Sequence, residues 1–453
     1  MPYIPVTETQ RGQMLSRLGV NSIADLFTDI PEKFRFPALN LGRGLSEHEV
    51  LAEINSLAEQ NLTAGSGNWF LGAGAYNHFI PAAVSALAGR GEFLTAYTPY
   101  QSEVSQGTLQ AIFEYQSMIA ELFGVDVVNA GHYDGATALA EAVILALKNN
   151  EERSLVLLPE ALHPEYREVL ATYLCARVPE IKTYTGSPAD AARAASDKNA
   201  AGIACLVAAY PDFSGAIPDL SGAAAAVHDS GGLFIVHADP LMLGLFKSPG
   251  EYGADIVTAE GQSLGNDINY GGPFLGIMGV KKELMRKIPG RIAGQASDAR
   301  GRRGFVLTLS AREQHIRREK AVSNICSNQG LSMLRSCVYL ALMGKEGLKT
   351  AAELCWNLSH YAAQAIAAQP GFTAYPADGN FFREFIVKLP GEREAEKISE
   401  KLIRKNIVPG LPLSRYFPGR KNELLICVTE KNSRSDIDRL AESIRTACDE
   451  EDF

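Results

Sequence analysis

The feature that most constrains the fold of this chain is an alternation of apolar runs and amphipathic helical segments between residues 105 and 281. Helical segments, with hydrophobic residues three and four positions apart, precede or separate most of the apolar runs. The runs are SLVLLPE (154–160), IACLVAAYP (203–211), GLFIVHADP (232–240), ADIVTAEG (254–261) and PFLGIMGVK (273–281). Strands that alternate with helices predict a mostly parallel sheet with helices on both faces.

Segments with different patterns flank this alternation, and they predict four parts of the chain. Residues 1–64 indicate an N-terminal helical arm, and residues 65–310 hold the large α/β domain. Residues 311–370, which begin with AREQHIRREK, are expected to be a mainly helical connection. Residues 371–453 follow the order strand, helix, strand, helix, which predicts a small C-terminal α+β domain. The predicted fold class is therefore α/β.

The composition limits the classes of partner. Hydrophobic residues make up 46% of the 453 residues and charged residues 21%, which is ordinary for a globular protein with a sizeable core. The formal net charge is −9, and no block of Lys and Arg is present. Neither a nucleic acid nor an anionic membrane is therefore a favoured partner.

Cysteine usage and the N-terminal sequence both favour a cytoplasmic protein. The seven cysteines are odd in number and lack CxxC spacing, which argues against a disulfide framework or a structural zinc site. The start, MPYIPVTETQRGQML, has no basic region followed by an apolar core, so it does not match a signal peptide. No apolar run approaches the roughly 18 residues of a membrane span.

Polar residues at the ends of the predicted elements match, in order, several groups that hold pyridoxal phosphate in enzymes. Gly135, Ala136 and Thr137 open a helix, where free N–H groups bind phosphate, although an ordinary capped helix shows the same pattern. His163 directly follows a strand and is placed to stack on a ring, or is an incidental turn residue. Asp239 ends a very apolar strand, and it suits either a pyridine nitrogen or the cap of the next turn.

The lysine that would anchor such a cofactor is missing from its expected place. Gln262 and Ser263 stand after the next strand, and neither an amide nor a hydroxyl forms an imine. Lys247 and Lys281 lie before that strand and beyond the following turn, where they are poorly placed for this role. A self-sufficient enzyme that uses another lysine, such as Lys247, and a purely structural or regulatory subunit remain as alternatives.

Long motifs of the chain closely resemble the P-protein family of the glycine cleavage system. They are FLGAGAYNHFIPAAV (70–84), TPYQSEVSQGTLQAIFEYQSMIAELFGVDVVNA (98–130), YDGATALAEA (133–142) and REQHIRREKAVSNIC (312–326), and the match extends over essentially the whole chain. The resemblance implies an aminotransferase-like fold, that of fold-type I pyridoxal-phosphate enzymes. In many bacteria this family is split into two homologous subunits, and the lysine belongs to subunit 2.

The same resemblance implies the activity and the partners. Glycine is decarboxylated on pyridoxal phosphate with release of CO2, and the aminomethyl group passes to the lipoyl arm of H-protein. T-protein and L-protein are then functional partners, and the simplest assembly is a heterotetramer. This chain, which has Ser263 at the lysine position, resembles the alpha-type, N-terminal-half subunit. Pyridoxal phosphate is therefore expected on subunit 2, and Gly135, Ala136, Thr137, His163 and Asp239 form a vestigial cofactor site.

Some polar and aromatic residues are hypothesised to reach across the interface into the partner's active site. Those in the glycine-rich and TPYQ segments also suit a buried interface, where tyrosine is enriched. Those in REQHIRREK suit a carboxylate, a partner's acidic side chain or a solvated charge cluster. The candidates are Asn77, His78, Tyr97, Thr98, Tyr100, Gln101, Arg312 and His315. No metal site is predicted.

Overall fold

The structure is a computed structural model, and it describes residues 6–35, 37–65, 68–177, 179–196, 202–272, 274–310, 313–321, 323, 325 and 329–450. The chain divides into two compact units, one up to Asn61 and one from Leu62 onward. The boundaries predicted near residues 310 and 370 fall inside the second unit, so the four-part division stays a prediction.

The secondary structure of the described residues consists of strands β1–β15 and α-helices α1–α13. The strands are β1 (Asn68–Trp69), β2 (Val127–Val128), β3 (Leu155–Pro159), β4 (Glu180–Tyr184), β5 (Ile203–Tyr210), β6 (Leu233–Ala238), β7 (Ile256–Glu260), β8 (Gly276–Val280), β9 (Ile292–Ser297), β10 (Arg303–Thr308), β11 (Thr373–Tyr375), β12 (Glu384–Lys388), β13 (Ile407–Val408), β14 (Leu411–Pro412) and β15 (Glu423–Cys427). The helices are α1 (Glu8–Leu18), α2 (Glu47–Ala58), α3 (Ala82–Ala88), α4 (Gly91–Leu94), α5 (Gln106–Phe123), α6 (Gly135–Asn149), α7 (Pro164–Leu174), α8 (Pro188–Ser196), α9 (Ala223–Asp229), α10 (Gln314–Arg317), α11 (Gly330–Ala367), α12 (Ala395–Ile403) and α13 (Arg434–Asp449). In this described part, every helix is too short or too polar to cross a lipid bilayer.

The central sheet confirms the predicted fold class. Within the described residues it has seven strands, in the order β2-β8-β7-β6-β5-β3-β4. Strand β8 is antiparallel to both of its neighbours, and the other adjacent pairs are parallel. Because β3, β5, β6 and β7 run in the same direction, their C-terminal ends meet at one edge of the sheet, where α/β proteins place their ligand sites.

Two hydrophobic cores lie on the opposite faces of this sheet. Leu155 and Leu157 of β3 belong to the core that also contains residues of α5, α8, α9 and α11. Val156 and Leu158 belong to the other core, with α6 and α7. Side chains alternate along a strand, so each apolar run supplies both cores, and each fully buried Leu or Val contributes roughly 1.5–3 kcal/mol.

The C-terminal part contains the strand, helix, strand, helix order that the sequence predicts. Strands β11, β12, β15 and β14 form an antiparallel sheet, and α12 and α13 share its core. Helix α11 links this part to the large sheet. Its residues up to Cys355 pack in the core of the large sheet, and those from Ala362 pack in the C-terminal core. Strand β12 begins at Glu384, and Arg383, directly before it, bonds to Asp239 at the edge of the large sheet.

The first unit contains two helices that each begin with a capping box. Thr7 and Gln10 form a capping box at the start of α1, and Ser46 and Glu49 form another at the start of α2. Each box satisfies backbone N–H groups that the first helical turn leaves free. The helices expected in these segments are therefore confirmed.

The connection predicted as mainly helical from residue 311 does not begin with one long helix. The described residues there contain the four-residue helix α10 and a 3-10 turn at Arg318–Lys320. Arg318 has a φ of 53°, which a non-glycine residue rarely adopts and which ends the helix. The long helix begins only at Gly330. The antiparallel pair β9–β10 was not expected either, because its residues show no clear apolar alternation.

Candidate cofactor-type site

A cavity lies at the C-terminal edge of the parallel strands, and we call it the strand-edge cavity. Two of the predicted cofactor residues, His163 and Asp239, line it. Its other polar and aromatic lining residues are Tyr76, Tyr166, Asp212, Phe213, His237, Glu260 and Glu384. Gly135, Ala136 and Thr137 are not among the described residues that line it.

The start of α6, which the sequence offered as a phosphate cradle or an ordinary capped helix, is closed by a capping box. Asp134 caps the helix and accepts a hydrogen bond from the backbone N–H of Thr137 (2.8 Å), and the Thr137 hydroxyl accepts one from Asp134 N–H (3.1 Å). Ala136 is buried in the first turn. A Cβ atom added to Gly135 would lie 2.9 Å from that of Glu260, so the close approach requires glycine.

The chain's own Glu260 carboxylate occupies this cradle. Its Oε2 accepts a hydrogen bond from Gly135 N–H (2.8 Å), and its Oε1 accepts bonds from Gln262 N–H (2.9 Å) and Leu275 N–H (3.1 Å). Burial raises the pKa of Glu260 to about 8, and the N–H groups of Gly135 and Leu275 act in the opposite direction. The Gly135 N–H, one of the groups expected to hold a phosphate, is therefore already bonded to a carboxyl group of the chain.

Asp239 is likewise paired within the chain. Its Oδ1 accepts hydrogen bonds from the backbone N–H groups of Leu241 (2.9 Å) and Met242 (3.0 Å), so it caps the turn that follows β6. Its Oδ2 forms an ion pair with Arg383. The Arg383 guanidinium is 1% exposed and lies 3.3 Å from the centre of the Tyr76 ring. A buried arginine thus takes the place expected for a pyridine nitrogen.

His163 is fixed by its neighbours. Its Nδ1 accepts a hydrogen bond from Glu165 N–H (3.2 Å) and its Nε2 donates to the carbonyl of Ala73 (3.0 Å), so the ring proton lies on Nε2. The ring stacks on Tyr166 with centroids 5.0 Å apart, and Phe213 lies edge-on at 4.7 Å. Its aromatic contacts are therefore made inside the chain.

Gln262 and Ser263, which stand where the lysine was expected, are not among the described residues that line the cavity. Ser263 is buried, and its hydroxyl has no hydrogen-bond partner among the described residues. Gln262 accepts a hydrogen bond from Tyr76 N–H (2.8 Å) and donates to the carbonyls of Tyr76 (3.0 Å) and Asn266 (2.8 Å). Among the described residues that line the cavity there is no lysine. With Glu260 in the cradle and Arg383 on Asp239, these residues do not fit pyridoxal phosphate.

Two candidates for contact with a partner, Asn77 and His78, instead tie the glycine-rich segment to the C-terminal part. The Asn77 carbonyl accepts a hydrogen bond from the Thr429 hydroxyl (2.8 Å). His78 Nδ1 bonds to Glu430 (2.7 Å), and its Nε2 accepts a hydrogen bond from Arg383 (2.7 Å). Burial lowers the pKa of His78, with Glu430 acting in the opposite direction. Both residues therefore form hydrogen bonds with other parts of this chain.

Tyr97, Thr98 and Tyr100 belong to a second, separate group. Tyr97 and Thr98 line a pocket together with Arg291, which we call the Arg291 pocket. The Tyr100 hydroxyl accepts a hydrogen bond from Arg291 Nη2 (2.9 Å). Tyr97 is 74% exposed and Tyr100 is 51% exposed, so this group faces outward from the chain.

The remaining candidates differ in position. The half-exposed His315 places its ring edge against Tyr100, with centroids 6.1 Å apart. Gln101 is exposed and precedes the 3-10 turn Ser102–Val104. Arg312 lies outside the described residues.

Three charged residues that make the main hydrogen bonds and ion pairs of the cavity and of the Arg291 pocket were not predicted from the sequence: Glu260, Arg383 and Arg291. Glu260 ends a buried strand, as Asp239 does, so the same argument would have found it. Arg383 stands in the apolar run FFREFIV, where a charge must be paired. Arg291, in PGRIAG, carries no comparable local signal.

Comparisons with known proteins agree with this architecture. A family profile described as glycine cleavage system P-protein matches residues 1–444. A Thermomicrobium roseum protein named probable glycine dehydrogenase (decarboxylating) subunit 1 is 46% identical over 453 residues, covering 99% of this chain and 100% of that protein. One of the same name from Desulforamulus reducens is 49% identical over 447 residues, covering 97% and 98%. The chain belongs to the glycine cleavage system P-protein family.

Within the P-protein family the chain groups with subunit 1 of glycine dehydrogenase (decarboxylating), an oxidoreductase. A crystal structure of glycine decarboxylase (P-protein), in inhibitor-bound form, has a TM-score of 0.87 and 42% identity, covering 99% of this chain and 100% of that one. Mouse CSAD, at 15% identity, covers 90% of each chain with a TM-score of 0.69 and shows the shared fold alone. The fold is that of fold-type I pyridoxal-phosphate enzymes, and the resemblance found in the motifs is confirmed.

Proposed function

We propose that this chain is the lysine-free subunit of a heteromeric P-protein and that the cofactor is held by subunit 2. Together the two subunits decarboxylate glycine on pyridoxal phosphate, release CO2 and transfer the aminomethyl group to the lipoyl arm of H-protein. T-protein and L-protein act after this step. In this complex the chain supplies walls and interface to a centre housed mainly in its partner.

The observation that carries this proposal is that the strand-edge cavity has its polar positions filled by the chain itself. Glu260 accepts the hydrogen bond of the first N–H group of α6, that of Gly135, and Arg383 pairs with Asp239. Ser263 supplies no amine at the position of the family's lysine. A scaffold of cofactor-enzyme type that has no amine to anchor the cofactor, and whose polar groups are already bonded, needs a second chain to react with glycine.

The alternative of a self-sufficient enzyme has little support from the positions of the two nearby lysines. Neither Lys247 nor Lys281 lines the cavity. The ammonium group of Lys247 lies 4.5 Å from the centre of the Tyr252 ring. Lys281 bonds to the Gly253 carbonyl (2.9 Å) and to Asp255 (2.7 Å). Both ammonium groups are therefore held away from the cavity.

Reduction with borohydride, followed by peptide mass spectrometry, tests where the cofactor is bound. The purified chain, purified subunit 2 and the reconstituted complex are each incubated with pyridoxal phosphate, reduced and digested. We expect the label on subunit 2 only, and release of CO2 from glycine only when both subunits are present. A label on this chain would overturn the proposal.

The purely structural alternative is tested in the same complex. Tyr100→Phe removes the hydroxyl that bonds to Arg291, and Asn77→Ala removes an amide bonded to Lys431 (2.9 Å). If both variants leave assembly and turnover unchanged, these two residues have no role in the partner's active site. Reduced turnover with unchanged assembly would instead support a contribution to the reaction.

A further inference from the structure

Arg291, directly before β9, is a buried charged side chain whose hydrogen bonds are incomplete. Its side chain is 3% exposed, and Nη2 donates to the Tyr100 hydroxyl (2.9 Å). Its Nε and Nη1 atoms are buried and have no hydrogen-bond partner in the described part of the chain. Buried polar groups in folded proteins are nearly always hydrogen-bonded, so the free donors of this guanidinium require an explanation.

Glu313 balances the charge of Arg291 but does not supply the missing bonds. Its Oε2 lies 3.7 Å from Arg291 Nε, which is beyond hydrogen-bond distance, and 3.8 Å from His315 Nδ1. Nη1 and Nη2 form the other edge of the planar guanidinium. That edge matches the two oxygens of a carboxylate, and Nη1 has no partner there.

The Arg291 pocket is suited to an anion because of its walls. The other residues that line the pocket are mainly apolar, and water is a poor competitor in such a place. An ion pair formed there is stronger than one in water. The walls include Leu94, Ile112, Met333 and Leu334, with Tyr97 and Thr98 beside them.

The mouth of the pocket has exposed apolar and aromatic side chains, as a protein interface has. Leu94 is 58% exposed, Tyr97 is 74% exposed and Leu331 is 44% exposed, and all three line the pocket. Exposed apolar and aromatic side chains grouped around a buried arginine are typical of the centre of a protein interface.

We propose that Arg291 is a receptor for a carboxylate that enters this pocket in the complex with subunit 2. The inference rests on the proposed function, because both sources of the carboxylate belong to that complex. One source is the carboxylate of glycine, and the other is an acidic side chain of subunit 2. In either case the carboxylate completes the hydrogen bonds of Nη1, while Nε continues to face Glu313.

The test uses the reconstituted complex and three variants of this chain. Arg291→Gln removes the charge, Arg291→Lys keeps the charge but loses the planar fork, and Glu313→Gln removes the neighbouring negative charge. The KM for glycine, kcat and the dissociation constant of the two subunits are measured for each, with folding checked by thermal unfolding of the isolated chain. The wild-type complex serves as the control for the proposed function, which fails if that complex neither assembles nor turns over glycine.

We expect Arg291→Gln to weaken one binding constant about tenfold or more, with a smaller loss for Arg291→Lys. Glu313→Gln should strengthen the same constant, because it removes repulsion of the incoming carboxylate. A change in KM alone identifies glycine as the source, and a change in subunit dissociation alone identifies an acidic side chain of subunit 2. The inference is overturned if Arg291→Gln changes neither constant by more than about twofold, or if Arg291→Gln and Glu313→Gln weaken the same constant equally.

Discussion

The strand-edge cavity and the Arg291 pocket both contain buried charged groups, but only the cavity pairs them fully. In the cavity, Glu260 accepts backbone N–H groups and Arg383 bonds to both Asp239 and His78. In the Arg291 pocket, two guanidinium nitrogens have no partner among the described residues. The charged groups of the cavity are hydrogen-bonded within the chain, whereas the guanidinium of the pocket has donors without a partner.

This difference is the one expected if the chain has the supporting role proposed above. A buried polar group without a partner is costly, so a site that loses its ligand is stabilised by groups of its own chain. Glu260 and Arg383 form bonds of this kind within the chain. A site that binds a group of another molecule has hydrogen-bond donors without partners in the free subunit. Arg291 has two such donors among the described residues.

Arg383→Met should have the largest effect on stability. It leaves Asp239 buried without its counter-ion and removes the hydrogen bond to His78, so we expect the free energy of unfolding to fall by about 3–5 kcal/mol. Urea unfolding of the isolated chain measures it. The double variant Arg383→Met/Asp239→Asn is the matched control, since it removes both charges and should recover part of the loss. A loss below about 1 kcal/mol would contradict the view that this ion pair closes the cavity.

Glu260→Ala should have the next largest effect, because it frees the N–H groups of Gly135, Gln262 and Leu275. We expect a loss of about 2 kcal/mol in the free energy of unfolding. We also expect inorganic phosphate to raise the melting temperature of the variant but not that of the wild type, since the emptied cradle then has the geometry of an anion site. Glu260→Gln is the control, because its amide still fills the space. Equal responses of Glu260→Ala and the wild type to phosphate would refute an occupied cradle.

A smaller effect concerns pH and His237, which lines the same cavity. Burial lowers the pKa of His237 to about 3, with His163 acting in the same direction. The unfolded chain therefore binds a proton below about pH 6.5 that the folded chain does not bind. The stability contributed by neutral His237 is present above pH 6.5 and is lost as the pH falls from there toward 3.

At pH 5.5 the loss from His237 should be about 1 kcal/mol. Urea unfolding of the wild type and of His237→Asn at pH 7.5 and 5.5 measures it. The variant loses a hydrogen bond to Thr258 (3.0 Å) at both pH values, so only the change between them reports the titration. An equal fall in the stability of both proteins on acidification would show that His237 does not contribute.

The sequence predicted the scaffold better than it predicted the chemistry of the site. Apolar runs and amphipathic segments are local patterns, so the strands and most helices followed from them, as did the positions of His163 and Asp239 at strand ends. The break at Arg318 was not predictable, because a left-handed arginine depends on its surroundings rather than on its own preference.

The pairing of the site's charges was also beyond the sequence, for a different physical reason. Arg383 lies 144 positions from Asp239, and only the docking of the C-terminal part brings them together. The pattern around Gly135 indicated an anion cradle equally well whether the anion was a phosphate or the carboxylate of Glu260. A local pattern describes a receptor and does not reveal which group occupies it.

The smallest effect on stability is expected in the Arg291 pocket, and it sharpens the contrast with Arg383. Arg291→Gln/Glu313→Gln removes two buried charges that make no mutual hydrogen bond, so the free energy of unfolding of the isolated chain should change by no more than about 1 kcal/mol. Urea unfolding of this double variant, beside Arg383→Met/Asp239→Asn, provides the comparison. A loss of about 3 kcal/mol or more would mean that Arg291 stabilises the free subunit as Arg383 does. An unchanged stability would leave Arg291 available to stabilise the complex.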